Sequence, residues 1–194
     1  EDTDVPAGDI GVGGREIGYM FGQYKRITNK FVGVLTGKGL EFGGSQMRTE
    51  ATGYGAIFFL RNMLKEHGTT IEGKRILISG SGNVATHAAE KVLLLGGSPL
   101  TLSDSGGFIH CADGLTQEQI DWVKELKGVR RGRISEAADE FNNISFHEKM
   151  RPWTVEADCA VPSATQNEIN KEDYKKEFKK FTWWIKEKIE EMGG

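Results

Sequence analysis

The residues Arg75-Ile-Leu-Ile-Ser-Gly-Ser-Gly-Asn-Val-Ala85 join an apolar run of strand type to a glycine-rich loop. A short run such as Arg75–Ser79 is typical of a strand buried in a parallel sheet. Helical periodicity follows over Ala85–Leu95, and a second apolar run, Pro99–Ser103, comes after a pair of glycines. A strand, a crossover helix and a second strand within about thirty residues form a βαβ unit. The sequence therefore predicts an α/β fold with a Rossmann-type, doubly wound, mostly parallel sheet.

The glycine loop has the spacing Gly80-x-Gly82-x-x-Ala85, directly after the predicted strand and at the start of the predicted helix. In dinucleotide-binding proteins the first glycine makes the tight turn and the second lets the backbone approach a pyrophosphate. The small third residue keeps helix and strand close together. Because the N–H groups of the helix N-terminus face the negative charge, the loop is interpreted as a cofactor site. An ordinary glycine-rich turn between a strand and a helix is the alternative.

Asp104 closes the second predicted strand about 20 residues after Gly82, where an acidic side chain commonly accepts the ribose 2′-hydroxyl of NAD. Ser103 and Ser105 flank Asp104. Four cations further along the chain could neutralise the 2′-phosphate of NADP; they are Lys127, Arg130, Arg131 and Arg133. The cations could equally form a solvated helix end. Spacing alone leaves both cofactors open.

Composition and charge indicate the number of domains and argue against a nucleic-acid-binding or membrane-spanning protein. The 194 residues fit one large domain or two small ones. A formal net charge of −3 gives no excess of positive charge that would favour nucleic-acid binding. No run approaches the length of about eighteen apolar residues, so no transmembrane helix and no membrane partner are expected. The first residues lack the basic and apolar parts of a secretory signal, and the missing initial Met suggests a chain that begins within a longer protein.

The cysteines and histidines predict neither a disulfide framework nor a metal site. Cys111 and Cys159 are far apart in the sequence, and the four histidines lack metal-ligand spacing. Free thiols are typical of a reducing compartment, so a cytoplasmic protein is expected. Glycine is unusually frequent, with 26 residues, and this favours close backbone approach at phosphate or cofactor sites.

The flanking segments predict further elements. Helices are expected at 15–27, 49–67, 116–127 and 134–141, and strands at 31–35 and 159–162. Thr116 is expected to cap its helix, with Gln119 as the capping-box partner. The tail from Lys171 carries apolar residues at helical spacing among mixed charges, which predicts an amphipathic helix docked on the rest of the protein. Partner binding is the alternative for this helix.

Six segments resemble hexameric glutamate dehydrogenase of the type that uses NADP; they are Asp4–Gly18, Leu35–Gly39, Gly43–Ser45, Arg48–Gly55, Ser79–Ala85 and Pro162–Glu168. The likeness runs with few gaps over most of the chain. It implies reversible oxidative deamination of L-glutamate to 2-oxoglutarate and ammonia, with hydride transfer to NADP in preference to NAD. It also implies a homo-oligomer whose other partners are small-molecule substrates.

The resemblance assigns roles to individual residues. Asp9 matches the aspartate that moves protons to and from the substrate nitrogen, and Gly8 matches a backbone contact to the substrate. Thr52, Asn83 and Ala164 match positions that meet the nicotinamide or its ribose. The positions matching the pyrophosphate loop and the NADP-preferring ribose end are Gly80, Ser81, Gly82, Val84, Asp104, Ser105 and, as a 2′-phosphate partner, Lys127.

The same likeness divides the chain into a remnant of a substrate-binding domain at 1–45, a Rossmann-like dinucleotide-binding domain at 46–170 and a C-terminal amphipathic helix at 171–194. The family's substrate-binding lysines lie upstream of the Asp4-Val-Pro-Ala-Gly-Asp9 motif, and a charged aromatic tail replaces its C-terminal continuation. A truncated, catalytically incomplete dinucleotide-binding or assembly fragment is therefore the alternative function. Another amino-acid dehydrogenase, or a methyl-donor binder that uses the same loop, is a third hypothesis.

Overall fold

The structure is a computed structural model that describes residues 4–169 of the chain. The chain forms two compact units that divide between Thr52 and Gly53. The domain boundaries expected after residues 45 and 170 stay predictions. The amphipathic helix predicted at 171–194 lies outside the described residues.

The first unit is built on α1, Gly14–Thr28, which confirms the helix predicted at 15–27. Its apolar stripe buries Ile17 and Phe21 against Val34 and Leu35. These four side chains form the buried cluster of this unit, so one face of α1 holds it together.

The strand predicted at 31–35 is wrong, because this segment forms no strand in the structure. Its apolar residues pack on α1 instead, and Leu35 has a φ of 65°, a left-handed conformation that interrupts an extended chain. A 3₁₀ turn follows at Leu40–Phe42. Next comes α2, Arg48–Glu66, as predicted for 49–67, and the division between the units falls within it.

A parallel sheet organises the second unit. Its central strand is β1, Arg75–Ile78, which pairs with β2, Ser98–Pro99, on one side. On the other side it pairs with the strand Cys159–Val161, β6 in chain order, which confirms the strand predicted at 159–162. The helix α3, Asn83–Leu94, connects β1 with β2, so the predicted βαβ unit and the α/β class are confirmed.

A second, antiparallel sheet has the order β3–β4–β5, formed by Thr101–Asp104, Gly107–His110 and Ser145–Glu148. The strand predicted at 99–103 is therefore shared between two sheets. Thr101 explains the change, because its hydroxyl accepts the Ile78 N–H and donates to the Ile78 carbonyl, both at 3.0 Å. This side chain thus takes the place of a backbone ladder between β1 and β3. The sequence predicts neither β4 nor β5.

Two shorter helices complete the second unit. Thr116 caps α4, Gln117–Glu125: its hydroxyl accepts the Gln119 N–H at 3.3 Å, and the Gln119 side chain accepts the Thr116 N–H at 2.9 Å. This confirms the predicted capping box. A π-helical turn follows at Leu126–Arg130, and α5 covers only Glu136–Glu140 of the helix predicted at 134–141. In the part of the chain that the structure describes, no helix has the length and hydropathy needed to span a membrane.

Candidate functional site

The loop after β1 turns sharply at Gly80, whose φ is +83°. A Cβ atom at this position would lie 2.7 Å from the carbonyl oxygen of Ser163 and 3.2 Å from the Cα atom of Ala164. Both the backbone conformation and the close approach of the loop after β6 therefore exclude a side chain here.

Two serines hold this loop in place. The Gly80 N–H donates to Ser103 Oγ at 2.8 Å, and the Ser103 N–H donates to the Gly80 carbonyl at 2.9 Å. On the other side, Ser79 Oγ accepts the Ser163 N–H at 2.9 Å. These bonds bring β3 and the loop after β6 to the carboxyl end of β1. In open α/β sheets this edge is the usual place for a ligand.

The helix α3 begins directly after the loop, with Gly82 at its N-cap. Gly82 brings no capping side chain, and a Cβ atom there would meet nothing within 4 Å. Ser81 and Ala85, in contrast, are buried. A helix of 12 residues whose N-terminus borders open space can bind an anion through its N–H groups and its dipole. The loop therefore has the geometry of a phosphate site.

Asp104 lies at the end of β3 with only 10% of its side chain exposed. Its Oδ1 accepts the Gly106 N–H at 2.8 Å, and its Oδ2 accepts the Ile134 N–H at 3.0 Å and the Lys127 ammonium at 3.2 Å. Burial alone would raise the pKa of Asp104. The bonds from Ile134, Gly106 and Lys127 outweigh burial, so the pKa lies below its ordinary value and the carboxyl group is ionised at neutral pH.

Beside Asp104, the Arg133 guanidinium donates to Ser105 Oγ at 2.9 Å, and both residues are exposed. Lys127 is held more tightly, since it also donates to the Gly132 carbonyl at 2.9 Å. In the sequence, nothing distinguishes Arg133 from the other cations downstream of Asp104. Its pairing with Ser105 depends on contacts that spacing does not reveal.

The remaining residue predicted for the second unit is Ala164. It is exposed in the loop that approaches Gly80, and its N–H donates to the Glu168 side chain at 3.1 Å. The second unit therefore brings together the nine site residues predicted within it around the ends of β1, β3 and β6; these are Gly80, Ser81, Gly82, Asn83, Val84, Asp104, Ser105, Lys127 and Ala164.

The other predicted site residues belong to the first unit. Asp9 is exposed in a turn, where its Oδ1 accepts the Ile10 N–H at 2.8 Å and its carbonyl accepts the Val12 N–H at 2.8 Å. A Cβ atom at Gly8 would lie 3.0 Å from the Val12 carbonyl oxygen, so this turn is tightly folded. Thr52 is exposed on α2.

Known proteins that are similar to this chain are dehydrogenases of amino acids. The family model described as Glutamate/Leucine/Phenylalanine/Valine dehydrogenase matches residues 43–188. An NAD(P)-specific glutamate dehydrogenase of Xylanibacter ruminicola is 58% identical over 174 residues, which are 90% of this chain and 39% of that protein. An NADP-specific glutamate dehydrogenase of Psychrobacter sp. (strain TAD1) is 55% identical over 175 residues, with the same 90% and 39% coverage.

Solved structures give the same result. The crystal structure of Plasmodium falciparum glutamate dehydrogenase has 45% sequence identity and a TM-score of 0.82, and the match covers 89% of this chain and 37% of that chain. The chain thus spans about two fifths of the length of the curated relatives that it matches.

Proposed function

The chain belongs to the Glutamate/Leucine/Phenylalanine/Valine dehydrogenase family, and from this premise we propose that it carries the cofactor site of a glutamate dehydrogenase-type oxidoreductase. The proposed reaction is the reversible oxidative deamination of L-glutamate to 2-oxoglutarate and ammonia, with NADP as hydride acceptor. The observation that carries the proposal is the meeting of the Gly80 loop, β3 and the loop after β6 at the N-terminus of α3. The names of the relatives from X. ruminicola and Psychrobacter support the substrate and the cofactor.

The glycine loop fits the pyrophosphate of a dinucleotide. Gly82 has no side chain and faces open space, so the backbone of Ser81 through Val84 can approach phosphate oxygens closely. The N–H groups at the start of α3 would donate to those oxygens, and the helix dipole would favour their negative charge. Asn83 and Ala164 are proposed to border the nicotinamide and its ribose, where the bound cofactor supplies the hydride acceptor.

The ribose end fits a 2′-phosphate. Arg133 and Ser105 form an exposed pair. The Arg133 backbone N–H donates to Glu136 Oε1 at 2.7 Å, but among the described residues no ion pair involves its guanidinium. A guanidinium and a hydroxyl together offer the donors that a phosphate dianion needs. Lys127, whose ammonium is paired with Asp104, is proposed as a further hydrogen-bond donor to this phosphate. We therefore favour NADP over NAD for this chain.

Catalytic chemistry is proposed for the first unit on the strength of the family membership. Asp9 would exchange a proton with the substrate nitrogen, Gly8 would contact the substrate through its backbone, and Thr52 would meet the nicotinamide carboxamide. A doubly wound sheet, a substrate-domain remnant over residues 1–45, and a homo-oligomer in the cytoplasm belong to the same proposal.

A titration of nucleotide fluorescence tests the proposal, with NADPH and NADH added separately to the 194-residue chain. The matched variant is Gly82→Asp, because Asp is a good N-cap and preserves α3 while its carboxylate repels a pyrophosphate. Saturable binding of NADPH that Gly82→Asp abolishes would support the cofactor site. Absence of binding for both nucleotides would refute it.

Addition of 2-oxoglutarate and ammonium to the NADPH complex tests the reaction itself. Oxidation of NADPH that depends on both substrates would support the complete dehydrogenase activity. Binding without oxidation would favour the alternative, in which this chain is a catalytically incomplete dinucleotide-binding or assembly fragment.

A further inference from the structure

The carboxylate of Asp104 is mostly buried and bonded to protein groups. Both of its oxygens are occupied, by the Gly106 N–H on one side and by Ile134 and Lys127 on the other. Only 10% of the side chain is exposed. A carboxylate that accepts a ribose hydroxyl must present a lone pair to the ligand, and protein donors already use three of the roughly four acceptor positions of Asp104.

The bonds of Asp104 converge on Arg133 from both directions along the chain. The Ile134 N–H, directly after Arg133, donates to Asp104 Oδ2 at 3.0 Å. Gly132, directly before it, is tied to Asp104 through Lys127, whose ammonium reaches both the Gly132 carbonyl and the carboxylate. Asp104 therefore holds the backbone on both sides of Arg133, while the Arg133 N–H itself donates to Glu136 Oε1 at 2.7 Å. In this arrangement the guanidinium lies beside Ser105.

We propose that Asp104 is a positioning residue that fixes Arg133 and Lys127 beside Ser105 and thereby makes the site selective for a 2′-phosphorylated dinucleotide. This inference rests on the proposed cofactor function. It reverses the usual role of an acidic residue at the end of this strand, where the carboxylate binds the ribose of NAD directly and repels a 2′-phosphate.

The electrostatics agree with this role. The Lys127 ammonium lies 3.2 Å from Asp104 and compensates its negative charge. The Arg133 guanidinium donates to Ser105 Oγ and, among the described residues, forms no ion pair, so it keeps its positive charge for a bound phosphate. An ordered cation loses less conformational entropy when it binds phosphate than a cation on a mobile segment, so anchoring raises affinity without any contact to the ligand.

The two roles of Asp104 predict opposite effects of Asp104→Asn. An uncharged Asn amide can accept from at most two of Gly106, Ile134 and Lys127 and attracts the Lys127 ammonium less strongly, so the anchor of the segment that carries Arg133 is weakened. For a positioning residue, the dissociation constant of NADPH rises about tenfold, the loss of one hydrogen bond to a charged group, and that of NADH changes less than about twofold. For a ribose acceptor, NADH binding weakens and NADPH binding is unchanged or tighter.

The matched control is Asp139→Asn, because Asp139 is exposed on α5 and its side chain has no hydrogen-bond or ion-pair partner among the described residues. It removes the same charge and should leave both dissociation constants unchanged. Arg133→Ala provides the second comparison. If Asp104 acts through Arg133, Asp104→Asn has little further effect on NADPH binding once Arg133 has been replaced.

Amide hydrogen exchange gives a readout that needs no nucleotide. In Asp104→Asn the Ile134 amide should exchange faster than in the wild type, while the Gly80 amide, which donates to Ser103, should not change. An unchanged Ile134 amide, or a variant that weakens NADH as much as NADPH, would overturn the positioning role while the cofactor site stands. If the wild type binds neither nucleotide, the proposed function fails and the selectivity role fails with it.

Discussion

Replacing Gly80 by Ala tests whether the close packing of the loop after β1 decides its residue type. The new methyl carbon would lie 2.7 Å from the Ser163 carbonyl oxygen, 3.0 Å from the Ser163 carbonyl carbon and 3.2 Å from the Ala164 Cα atom. All three are backbone atoms, so no flexible side chain can move aside. Relief requires a shift of the loop after β6 or of the β1 loop itself.

The expected destabilisation has two sources. A left-handed φ, here +83°, costs a residue with a Cβ atom roughly 1–2 kcal/mol. Forcing a methyl group into an occupied space typically costs about 1–3 kcal/mol. A shift that relieves the clash would also strain the two hydrogen bonds between Gly80 and Ser103. Together these costs lower the free energy of unfolding by about 2–5 kcal/mol, a large share of the stability of a small domain.

Urea unfolding followed by tryptophan fluorescence measures this difference, with Gly82→Ala as the control. Gly82 has a negative φ of −84°, and a Cβ atom there meets nothing within 4 Å. We expect this control to lower stability by at most about 1 kcal/mol, the difference between Gly and Ala at an N-cap. Its methyl group would, however, occupy the space proposed for the pyrophosphate, so NADPH binding should weaken although the fold is intact.

The pair of variants therefore separates packing from binding. If Gly80→Ala unfolds within about 0.5 kcal/mol of the wild type, the usual limit for a harmless substitution, the packing argument is refuted. If Gly82→Ala binds NADPH as tightly as the wild type, the open space beside Gly82 is not the phosphate site.

Three further predictions concern single contacts. Thr116→Ala should lower stability by about 1 kcal/mol in thermal unfolding because α4 loses its cap, whereas Thr116→Ser should be nearly neutral; equal losses would contradict the capping role. Burial and the neighbouring His147 lower the pKa of His110 below its ordinary value of 6.5. Near and below that pH the unfolded chain therefore binds more protons than the native protein does. The free energy of unfolding, measured by urea titration, should fall as the pH drops from 7.5 to 5.5. If the fall is equally large in His110→Gln, His110 is not its source. Burial and Asp158 raise the pKa of Cys159 to about 11. At pH 8, iodoacetamide should therefore alkylate Cys159 much more slowly in the native protein than after unfolding in urea. Equal rates would disprove the burial of the thiol.

The sequence predicts those parts of the fold whose signal is local. The run Arg75–Ser79, the glycines that follow and the periodicity of α3 lie within one short stretch, and each agrees with the others. The Thr116 cap is equally local, since the partner residue stands three positions away. Long-range pairing has no such signal. Gly107 pairs with Glu148, and neither Gly107–His110 nor Ser145–Glu148 shows the strict alternation of a half-buried strand.

The strand wrongly predicted at 31–35 shows why composition can mislead. Valines favour strands because they fit a pleated surface with neighbours on both sides. In this unit the nearest apolar surface is the stripe of α1, and Val34 and Leu35 are buried there without forming a ladder. The tertiary environment therefore overrides the local preference.

The candidate site shows the same limit. Spacing along the chain locates the glycine loop, which follows β1, and Asp104, which ends β3. It cannot choose among the downstream cations, since that choice depends on which of them the folded chain brings to Ser105. The bond between Ile134 and Asp104 makes that choice for Arg133, and it joins residues that stand thirty positions apart.

Both ends of the proposed cofactor site are thus arranged by side chains that the ligand would not touch. Ser103 and Ser79 fix the backbone around Gly80 through hydrogen bonds, and Asp104 fixes the segment that carries Arg133. Groups that are ordered before binding cost little conformational entropy when the ligand arrives. Affinity for the dinucleotide should therefore respond to substitutions at these buried positions as strongly as to substitutions at the residues that contact phosphate.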